Sequence, residues 1–264
     1  MSYLTVNNLT AGYGKHPVIE NISFQLEKGC LMGIIGANGS GKTTLLKALC
    51  GILPHQGSCT LAGTALEKLS PRQLARLISY IPQRSGVAID ISVLDVVLMG
   101  FNPQLGLLEH PTRAMKDAAL QALTQVGLAG KEEENYLHLS EGQKQLCILA
   151  RTLVSGSKLL LLDEPESALE FRYRHQMLSL LQRWVGAGQR SAVVTLHDPT
   201  LALNFCDRLL LLGDHGILGV IEPQTSPLDA LEHALSQVYG SISLQRCQNR
   251  QGTQQIVILR EDEA

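Results

Sequence analysis

Eight consecutive residues near the start of the chain have the types and spacing that suit binding of a triphosphate. The pattern G-x-x-x-x-G-K-[ST] is matched by Gly36-Ala37-Asn38-Gly39-Ser40-Gly41-Lys42-Thr43. Glycines allow successive backbone N–H groups to surround phosphates at the positive end of a helix, while Lys42 supplies a positive charge and Thr43 a hydroxyl for Mg²⁺. Since an apolar run over 31–35 precedes this loop and a helical stretch over 44–49 follows it, the context predicts a nucleotide site.

Two adjacent carboxylates follow a second apolar run. The run is Leu159-Leu160-Leu161-Leu162, and Asp163 and Glu164 come directly after it. A carboxylate beside a buried strand is costly to desolvate unless it has a partner, so Asp163 is predicted to hold the Mg²⁺ that Thr43 also touches. Glu164 is then placed to polarise a water molecule against the terminal phosphate. Such a pair is often only a solvated strand end, but together with the phosphate loop it predicts a catalytic site.

Short apolar runs of strand length alternate with helical stretches along the chain. They lie near residues 4–9, 18–26, 31–35, 159–162, 192–195 and 209–212. Several are apolar on both faces, which is typical of strands in a parallel sheet that is covered on both sides. The fold class is therefore predicted to be α/β.

The pattern changes between about residues 83 and 155, where helical spacing dominates. Helices are predicted over 113–126, ending before Gly127, and over 141–154. We expect a core over about 1–83 and 156–225, an inserted helical subdomain over about 84–155, and a C-terminal tail over about 226–264. The tail holds a predicted helix over 228–238 and a strand over 256–259, but no motif with an assignable chemistry.

Composition restricts the classes of partner. The 264 residues carry a net charge of −2, which gives no overall electrostatic reason to bind nucleic acid. No apolar stretch reaches the roughly 18 to 20 residues that cross a bilayer, and residues 1–8 lack the features of a signal peptide, so we expect a cytosolic chain. The six cysteines lack C-x-x-C spacing, and we expect reduced packing residues rather than a zinc knuckle or a disulfide framework.

The sequence resembles the ATP-binding subunits of ABC transporters over nearly its whole length. The most specific mark is Leu139-Ser140-Glu141-Gly142-Gln143, which is similar to the L-S-G-G-Q signature of that family and precedes the Asp163–Glu164 pair as expected. The resemblance implies a single ATP-binding domain over 1–264. Its fold would be a RecA-like P-loop core with a mostly parallel sheet, an antiparallel β edge and an inserted helical subdomain. The implied activity is Mg²⁺-dependent ATP hydrolysis coupled to transport.

Further site residues follow from the resemblance, position by position. Tyr13 resembles the aromatic residue that stacks on adenine, Gln83 the glutamine that senses Mg²⁺ and water, and His197 the histidine that contacts the γ-phosphate. The implied nucleotide-binding residues are Tyr13, Gly36, Ala37, Asn38, Gly39, Ser40, Gly41, Lys42, Thr43, Thr44, Gln83, Ser140, Gly142 and Gln143. The implied catalytic residues are Glu164 and His197. The implied Mg²⁺ ligands are Thr43, Gln83 and Asp163.

The resemblance also implies that two copies of the chain act together. In this family two subunits enclose two ATP molecules, each between the phosphate loop of one copy and the signature of the other. Ser140 is expected to begin a helix whose hydroxyl and N–H groups stabilise the γ-phosphate bound by the partner copy. Other implied partners are integral membrane permease subunits, contacted through the helical subdomain, and indirectly an extracytoplasmic substrate-binding protein. The implied location is the cytoplasmic face of the membrane.

Two positions depart from the family pattern. Glu141 replaces the first glycine of the signature, and Glu170 replaces the usual aspartate after Ala168-Leu169. Glu141 would weaken the nucleotide sandwich if it faced the triphosphate. However, an acidic residue is favourable in the first turn of a helix, and Ser140 with Gln143 fits a capping box, so we expect Glu141 to face away. Glu170 is expected to shift communication between the two sites. An alternative function is therefore a regulatory module that binds ATP and hardly hydrolyses it.

The finer resemblance is to the ATPases that import iron-siderophore, haem or cobalamin complexes. It rests on residues 90–100 and 196–203 and on Val238-Tyr239-Gly240. We expect a subunit that powers such an importer, with another cargo as an alternative. Chromosome and translation ATPases of the same superfamily fit poorly, because they need coiled-coil arms or usually two ATP domains per chain. A simple P-loop kinase would leave the signature and His197 unexplained.

Overall fold

The computed structural model describes residues 2–83, 87–106, 108–188, 190–214 and 216–260. Met1, the predicted start of the helical subdomain at residue 84 and the predicted end of the tail at residue 264 lie outside these ranges. The strands are β1 (Leu4–Tyr13), β2 (His16–Leu26), β3 (Leu31–Gly36), β4 (His55–Leu61), β5 (Thr64–Ala65), β6 (Ile78–Ile81), β7 (Leu159–Asp163), β8 (Ser191–Thr195), β9 (Arg208–Leu212), β10 (Ile217–Ile221), β11 (Ile242–Gln248) and β12 (Gln254–Arg260). The α-helices are α1 (Lys42–Leu49), α2 (Pro71–Leu77), α3 (Val93–Leu98), α4 (Arg113–Gln125), α5 (Glu141–Leu153), α6 (Phe171–Gly186), α7 (Pro199–Phe205) and α8 (Leu228–Tyr239). Single turns of 3-10 helix cover Leu66–Lys68, Met99–Phe101 and Tyr136–His138.

A six-stranded sheet with the order β10-β9-β3-β8-β7-β6 forms the centre of the fold. The neighbours from β9 to β6 are parallel, and β10 adds an antiparallel strand at one edge. Every residue of β3, β7 and β8 is buried, which explains why these segments are continuous apolar runs in the sequence. The predicted α/β class with a mostly parallel sheet is confirmed.

A four-stranded antiparallel sheet, in the order β2-β1-β4-β5, lies on one side of the central sheet. Alternate residues of the central strands point to opposite faces and feed two hydrophobic cores. One core joins the antiparallel sheet and α1 to residues such as Met32, Leu161 and Val193. The other joins Leu31 and Leu160 to the helices from α3 to α8. Strands β3, β7 and β8 are therefore covered on both faces.

Helices α3, α4 and α5 pack together, and each pair of them is in contact. These three helices are called the helical lobe below. Each helix begins after a side chain that accepts a hydrogen bond from a backbone N–H: Ser92, Thr112 and Ser140. The predicted helices over 113–126 and 141–154 correspond to α4 and α5, and each ends one residue earlier than expected. The short helices α2 and α3 were not predicted, because six or seven residues give too little periodicity to detect.

The C-terminal segment adds α8 and the β11–β12 hairpin. Asn204 of α7 fixes the hairpin, since its Nδ2 donates to the carbonyl of Ile256 and its Oδ1 accepts from the N–H of Ile256, both at 2.8 Å. The predicted tail helix and strand lie within α8 and β12. Strand β11 was not predicted because most of its side chains are polar.

Two expectations from composition can be compared with the structure. Across the described residues, no helix is both long enough and apolar enough to cross a bilayer. All six cysteines are free, and Cys30, Cys59, Cys147 and Cys206 are buried.

Candidate functional site

The predicted core-site residues lie at the carboxyl ends of adjacent parallel strands. The phosphate loop follows β3, Asp163 and Glu164 follow the apolar residues of β7, His197 lies two residues beyond β8, and Gln83 lies two residues beyond β6. Because β3, β8, β7 and β6 are neighbours in the sheet, these four chain segments meet at one edge. Residues separated by up to about 160 positions in sequence therefore share one site.

The phosphate loop links β3 to α1 and depends on a glycine at the start of the helix. Gly41 has φ +97°, and a Cβ built there would lie 2.3 Å from the Cγ2 atom of Ile19, so other residue types would be both strained and obstructed. The Lys42 ammonium donates to the carbonyls of Gly36 and Ala37 at 2.8 and 3.0 Å. Burial lowers the pKa of Lys42, and the charges of Glu164 and Asp163 oppose that shift. A cavity of about 230 Å³ is lined by Val18, Asn38, Gly39, Gly41, Lys42, Thr43, Thr44 and Glu164.

Three hydroxyl groups hold the Asp163 carboxylate. Thr43 and Thr195 donate to Oδ1 at 3.1 and 3.0 Å, and the Tyr80 hydroxyl donates to Oδ2 at 3.2 Å. Burial raises the pKa of Tyr80, and the neighbouring Asp163 charge adds to that shift. Thr195 and Tyr80 were not among the predicted site residues. They reach Asp163 only because β8 and β6 lie on either side of β7, and no local sequence motif indicates this strand order.

Glu164 occupies a strained position that is fixed by contacts from two other strands. Its φ is +48°, a left-handed conformation that costs a non-glycine residue about 1–2 kcal/mol. Its N–H donates to the Thr195 hydroxyl at 2.8 Å. Its carboxylate accepts from Gln83 Nε2 at 2.5 Å and lies 2.7 Å from His197 Nε2. Glu164, predicted from the residues, thus contacts both Gln83 and His197, which the family resemblance implied.

Glu166 is a further buried acid beside this cluster that the sequence did not single out. Only 2% of Glu166 is exposed, and its Oε1 accepts from the N–H of His197 at 3.0 Å. Its Oε2 has no hydrogen-bond partner among the described residues. Burial raises the pKa of Glu166, and hydrogen bonding with the His197 N–H opposes the shift. The contact joins the segment after β7 to the segment after β8.

The signature residues form the N-terminus of α5. The Ser140 hydroxyl accepts from the N–H of Gln143 at 3.3 Å, and Gln143 Oε1 accepts from the N–H of Ser140 at 3.1 Å, so the predicted capping box is confirmed. The Glu141 carboxylate is largely exposed and pairs with Lys144 at 2.8 Å. A Cβ on Gly142 would lie 3.2 Å from the carbonyl oxygen of Ala168. The signature therefore packs closely on the loop that follows Glu164.

The signature lines a different cavity from the phosphate loop. A cavity of about 410 Å³ is lined by Gly127, Leu128, Ser140, Glu141, Gly142, Gln143, Leu146, Ala168, Glu170 and Tyr173, and none of these residues lines the phosphate-loop cavity. Tyr13 is 52% exposed at the turn between β1 and β2 and lines a third cavity. One chain therefore brings the phosphate loop together with Gln83, Asp163, Glu164 and His197, whereas its signature lines a separate cavity.

The donor atoms near the phosphate loop suit a hard divalent cation. The Thr43 hydroxyl and the Asp163 carboxylate are in contact, and the Gln83 side chain reaches the same cluster through Glu164. Oxygen donors of this kind are the ligands that Mg²⁺ prefers. The residues present therefore fit Mg²⁺.

Comparisons with known proteins agree with this geometry. A family model described as ABC transporter matches residues 19–167. The chain is 34% identical over 239 residues to the ABC transporter ATP-binding protein YvrA of Bacillus subtilis, covering 89% of this chain and 53% of that protein, so it spans about half the length of this relative. It is 36% identical over 248 residues to the hemin import ATP-binding protein HmuV of Bordetella pertussis, covering 90% of this chain and 92% of that protein. A solved structure of a metal-chelate type ABC transporter in an inward-facing conformation superposes with a TM-score of 0.81 at 28% identity, covering 99% of both chains.

Proposed function

Because the chain belongs to the ABC transporter family, we propose that it is the ATP-hydrolysing subunit of an importer for iron-siderophore, haem or cobalamin-type chelates. The cargo class is supported by the hemin-import relative and by the likeness to a metal-chelate transporter. The observation that carries the hydrolytic function is the contact of Glu164 with both Gln83 and His197 beside the Thr43–Asp163 pair.

In this proposal the phosphate loop binds the triphosphate of ATP. The N–H groups from Gly36 to Thr44 surround the phosphates at the start of α1, where the helix dipole favours negative charge. Lys42, which now donates to two loop carbonyls, exchanges those partners for phosphate oxygens. Tyr13 stacks on adenine from the turn between β1 and β2, where its exposure leaves the ring accessible.

Thr43, Asp163 and Gln83 would hold Mg²⁺, which neutralises the developing charge on the phosphates. The Tyr80 and Thr195 hydroxyls keep the Asp163 carboxylate oriented for that task.

Glu164 acts on the attacking water in the hydrolytic step. Its carboxylate is held between Gln83 and His197, so a water molecule that it polarises has a fixed approach to the γ-phosphate. The Glu166 contact fixes the backbone of His197, which can then contact the γ-phosphate without moving its loop.

We propose that hydrolysis requires two copies of the chain. The separation of the signature cavity from the phosphate-loop cavity supports this assembly. Ser140, Gly142 and Gln143 of one copy would complete the γ-phosphate site of the other through the helix N-terminus of α5. ATP then joins the copies, and its hydrolysis releases them.

Coupling to transport would pass through the helical lobe. We propose that α3, α4 and α5 contact integral membrane permease subunits from the cytoplasmic face, and that an extracytoplasmic binding protein delivers the chelate to the permease. No nucleic-acid partner is proposed, since the net charge is −2.

Two variants test the nucleotide site and the two-copy assembly. We expect Lys42→Ala to abolish ATP binding, because the loop loses its positive charge. Glu164→Gln should keep ATP binding but block hydrolysis, so a dimer accumulates in gel filtration with ATP and Mg²⁺. If Glu164→Gln binds ATP and stays monomeric, the sandwich is wrong, and if Lys42→Ala still binds ATP, the assigned loop is wrong. A wild-type ATPase rate no higher than that of Glu164→Gln would instead support the regulatory alternative.

A further inference from the structure

Three potential metal ligands from β4 and the following 3-10 turn lie together outside the nucleotide site. His55, Cys59 and Glu67 each offer one ligand atom, and these atoms all lie within 4.8 Å of one another. His55 Nε2 is 3.8 Å from Cys59 Sγ and 3.5 Å from Glu67 Oε1. A tetrahedral Zn²⁺ with ordinary bond lengths separates sulfur from nitrogen by about 3.6 Å and nitrogen from oxygen by about 3.4 Å. The side chains are therefore spaced as ligands of a single ion.

An irregularity in the antiparallel sheet accompanies this juxtaposition. His55 and Cys59 are four residues apart on one strand, a separation of about 13 Å between Cα atoms in a regular strand. Gly57 lies between them with φ +92°, opposite a bulge in which β1 carries one extra residue between Asn7 and Thr10. The left-handed backbone at Gly57 interrupts the regular extension of β4, and the His55 imidazole lies 3.8 Å from the Cys59 sulfur.

The surroundings of the cluster leave a route for an ion. Cys59 is fully buried and the His55 side chain is 11% exposed, while that of Glu67 is 34% exposed. His55 and Glu67 line a cavity of about 590 Å³ between α1, α2 and β4. The N–H of Cys59 also donates to the Glu67 carboxylate, which fixes Glu67 beside the sulfur. Three protein ligands next to a cavity leave one coordination position for water or another small ligand.

We propose that His55, Cys59 and Glu67 form a site for Zn²⁺ or a transition-metal ion of similar size. A thiolate and an imidazole favour such ions over Mg²⁺, which the nucleotide site would take. On binding, the Cys59 thiol gives its proton to solvent and a sulfur–metal bond forms, with no change of oxidation state. Cys59 then has a role beyond packing. The site is independent of the ATPase function proposed above, because it shares no residue with the nucleotide site.

Cobalt titration of the full chain, freed of metals and without nucleotide or Mg²⁺, tests the site. We expect one equivalent of Co²⁺ to produce a thiolate-to-cobalt absorption band, and Zn²⁺ to displace it. Cys59→Ser should lose the band. His55→Ala and Glu67→Gln should weaken Zn²⁺ binding by more than the roughly 10- to 100-fold cost of losing an outer-shell partner. Cys50→Ser, which changes a thiol lining the same cavity, should keep the band.

Three results would overturn the proposal: no thiolate band in the wild-type chain, a band that survives in Cys59→Ser, or unchanged Zn²⁺ affinity in both His55→Ala and Glu67→Gln. The last comparison remains informative if Cys59→Ser fails to fold, because His55 and Glu67 lie nearer the surface. A nucleotide-binding measurement on each variant distinguishes loss of this site from loss of the ATP site.

Discussion

Individual side chains at the nucleotide site are held mainly by contacts across neighbouring strands. The Asp163 carboxylate accepts hydrogen bonds from hydroxyl groups of three different segments. Glu164 has a left-handed backbone, and its carboxylate accepts a hydrogen bond from Gln83. A charged group that loses one such partner in a buried place is left with an uncompensated desolvation cost of about 1–3 kcal/mol or more. The positions of the two carboxylates are therefore fixed by the residues that surround them and not by Asp163 or Glu164 alone.

Glu166 gives a testable consequence of burial. Because its pKa is raised above the ordinary value of 4.5, the folded chain binds this proton more tightly than the unfolded chain, and ionisation of Glu166 removes stability as the pH rises. Below pH 4.5 we expect the free energies of unfolding of Glu166→Gln and wild type to change with pH in the same way. The variant should gain relative stability as the pH increases through the raised pKa.

Thermal or urea unfolding across this pH range measures the difference. Glu133→Gln, which changes an exposed acid, is the matched control and should show no such trend. If the difference in free energy of unfolding between Glu166→Gln and wild type does not vary with pH, the raised pKa of Glu166 is not its cause.

The N-terminus of helix α5 has two roles in the proposed function. Helix α5 begins at Ser140, whose hydroxyl now closes the capping box with Gln143, and the same N-terminus is proposed to face the γ-phosphate of a partner copy. Capping stabilises the helix in the isolated chain, whereas the proposed phosphate contact would act only in the assembly. The two roles of Ser140 can therefore be separated by substitution.

Two substitutions at Ser140 separate capping from phosphate binding. Ser140→Ala removes the cap and should lower the free energy of unfolding by about 0.5–2 kcal/mol. Ser140→Asp keeps a capping oxygen, so its stability should stay near wild type, but its charge repels the triphosphate and should abolish ATPase activity. Chemical unfolding and ATP hydrolysis are the two measurements. Full ATPase activity in Ser140→Asp would show that this helix end does not meet the nucleotide.

The proposed assembly of two chains places each ATP between residues of different copies. Its geometry predicts complementation between two inactive variants. A mixed dimer of Lys42→Ala and Ser140→Asp chains has one site with both defects and one site with neither. Equal mixing makes about half of the dimers mixed, so recovery can reach about one quarter of the wild-type rate if the sites act independently.

ATPase activity of the mixed sample, compared with each variant alone, is the measurement. Mixing either variant with itself provides the control and should recover nothing. The absence of recovery despite formation of mixed dimers, detected by two different affinity tags, would contradict sites shared between copies.

Local patterns in the chain were sufficient to predict the phosphate loop, the Asp163–Glu164 pair, the α/β class and the capping box at Ser140, because each depends on neighbouring residues or on burial of a whole strand. The contacts of Thr195, Tyr80 and Glu166 could not be predicted in this way. They depend on the order β3-β8-β7-β6, and strand order is fixed by packing between segments far apart in the sequence. The His55–Cys59–Glu67 cluster was missed for a similar reason, since the left-handed Gly57 in β4, opposite a bulge in β1, and a turn after β4 bring together residues whose spacing matches no linear metal motif.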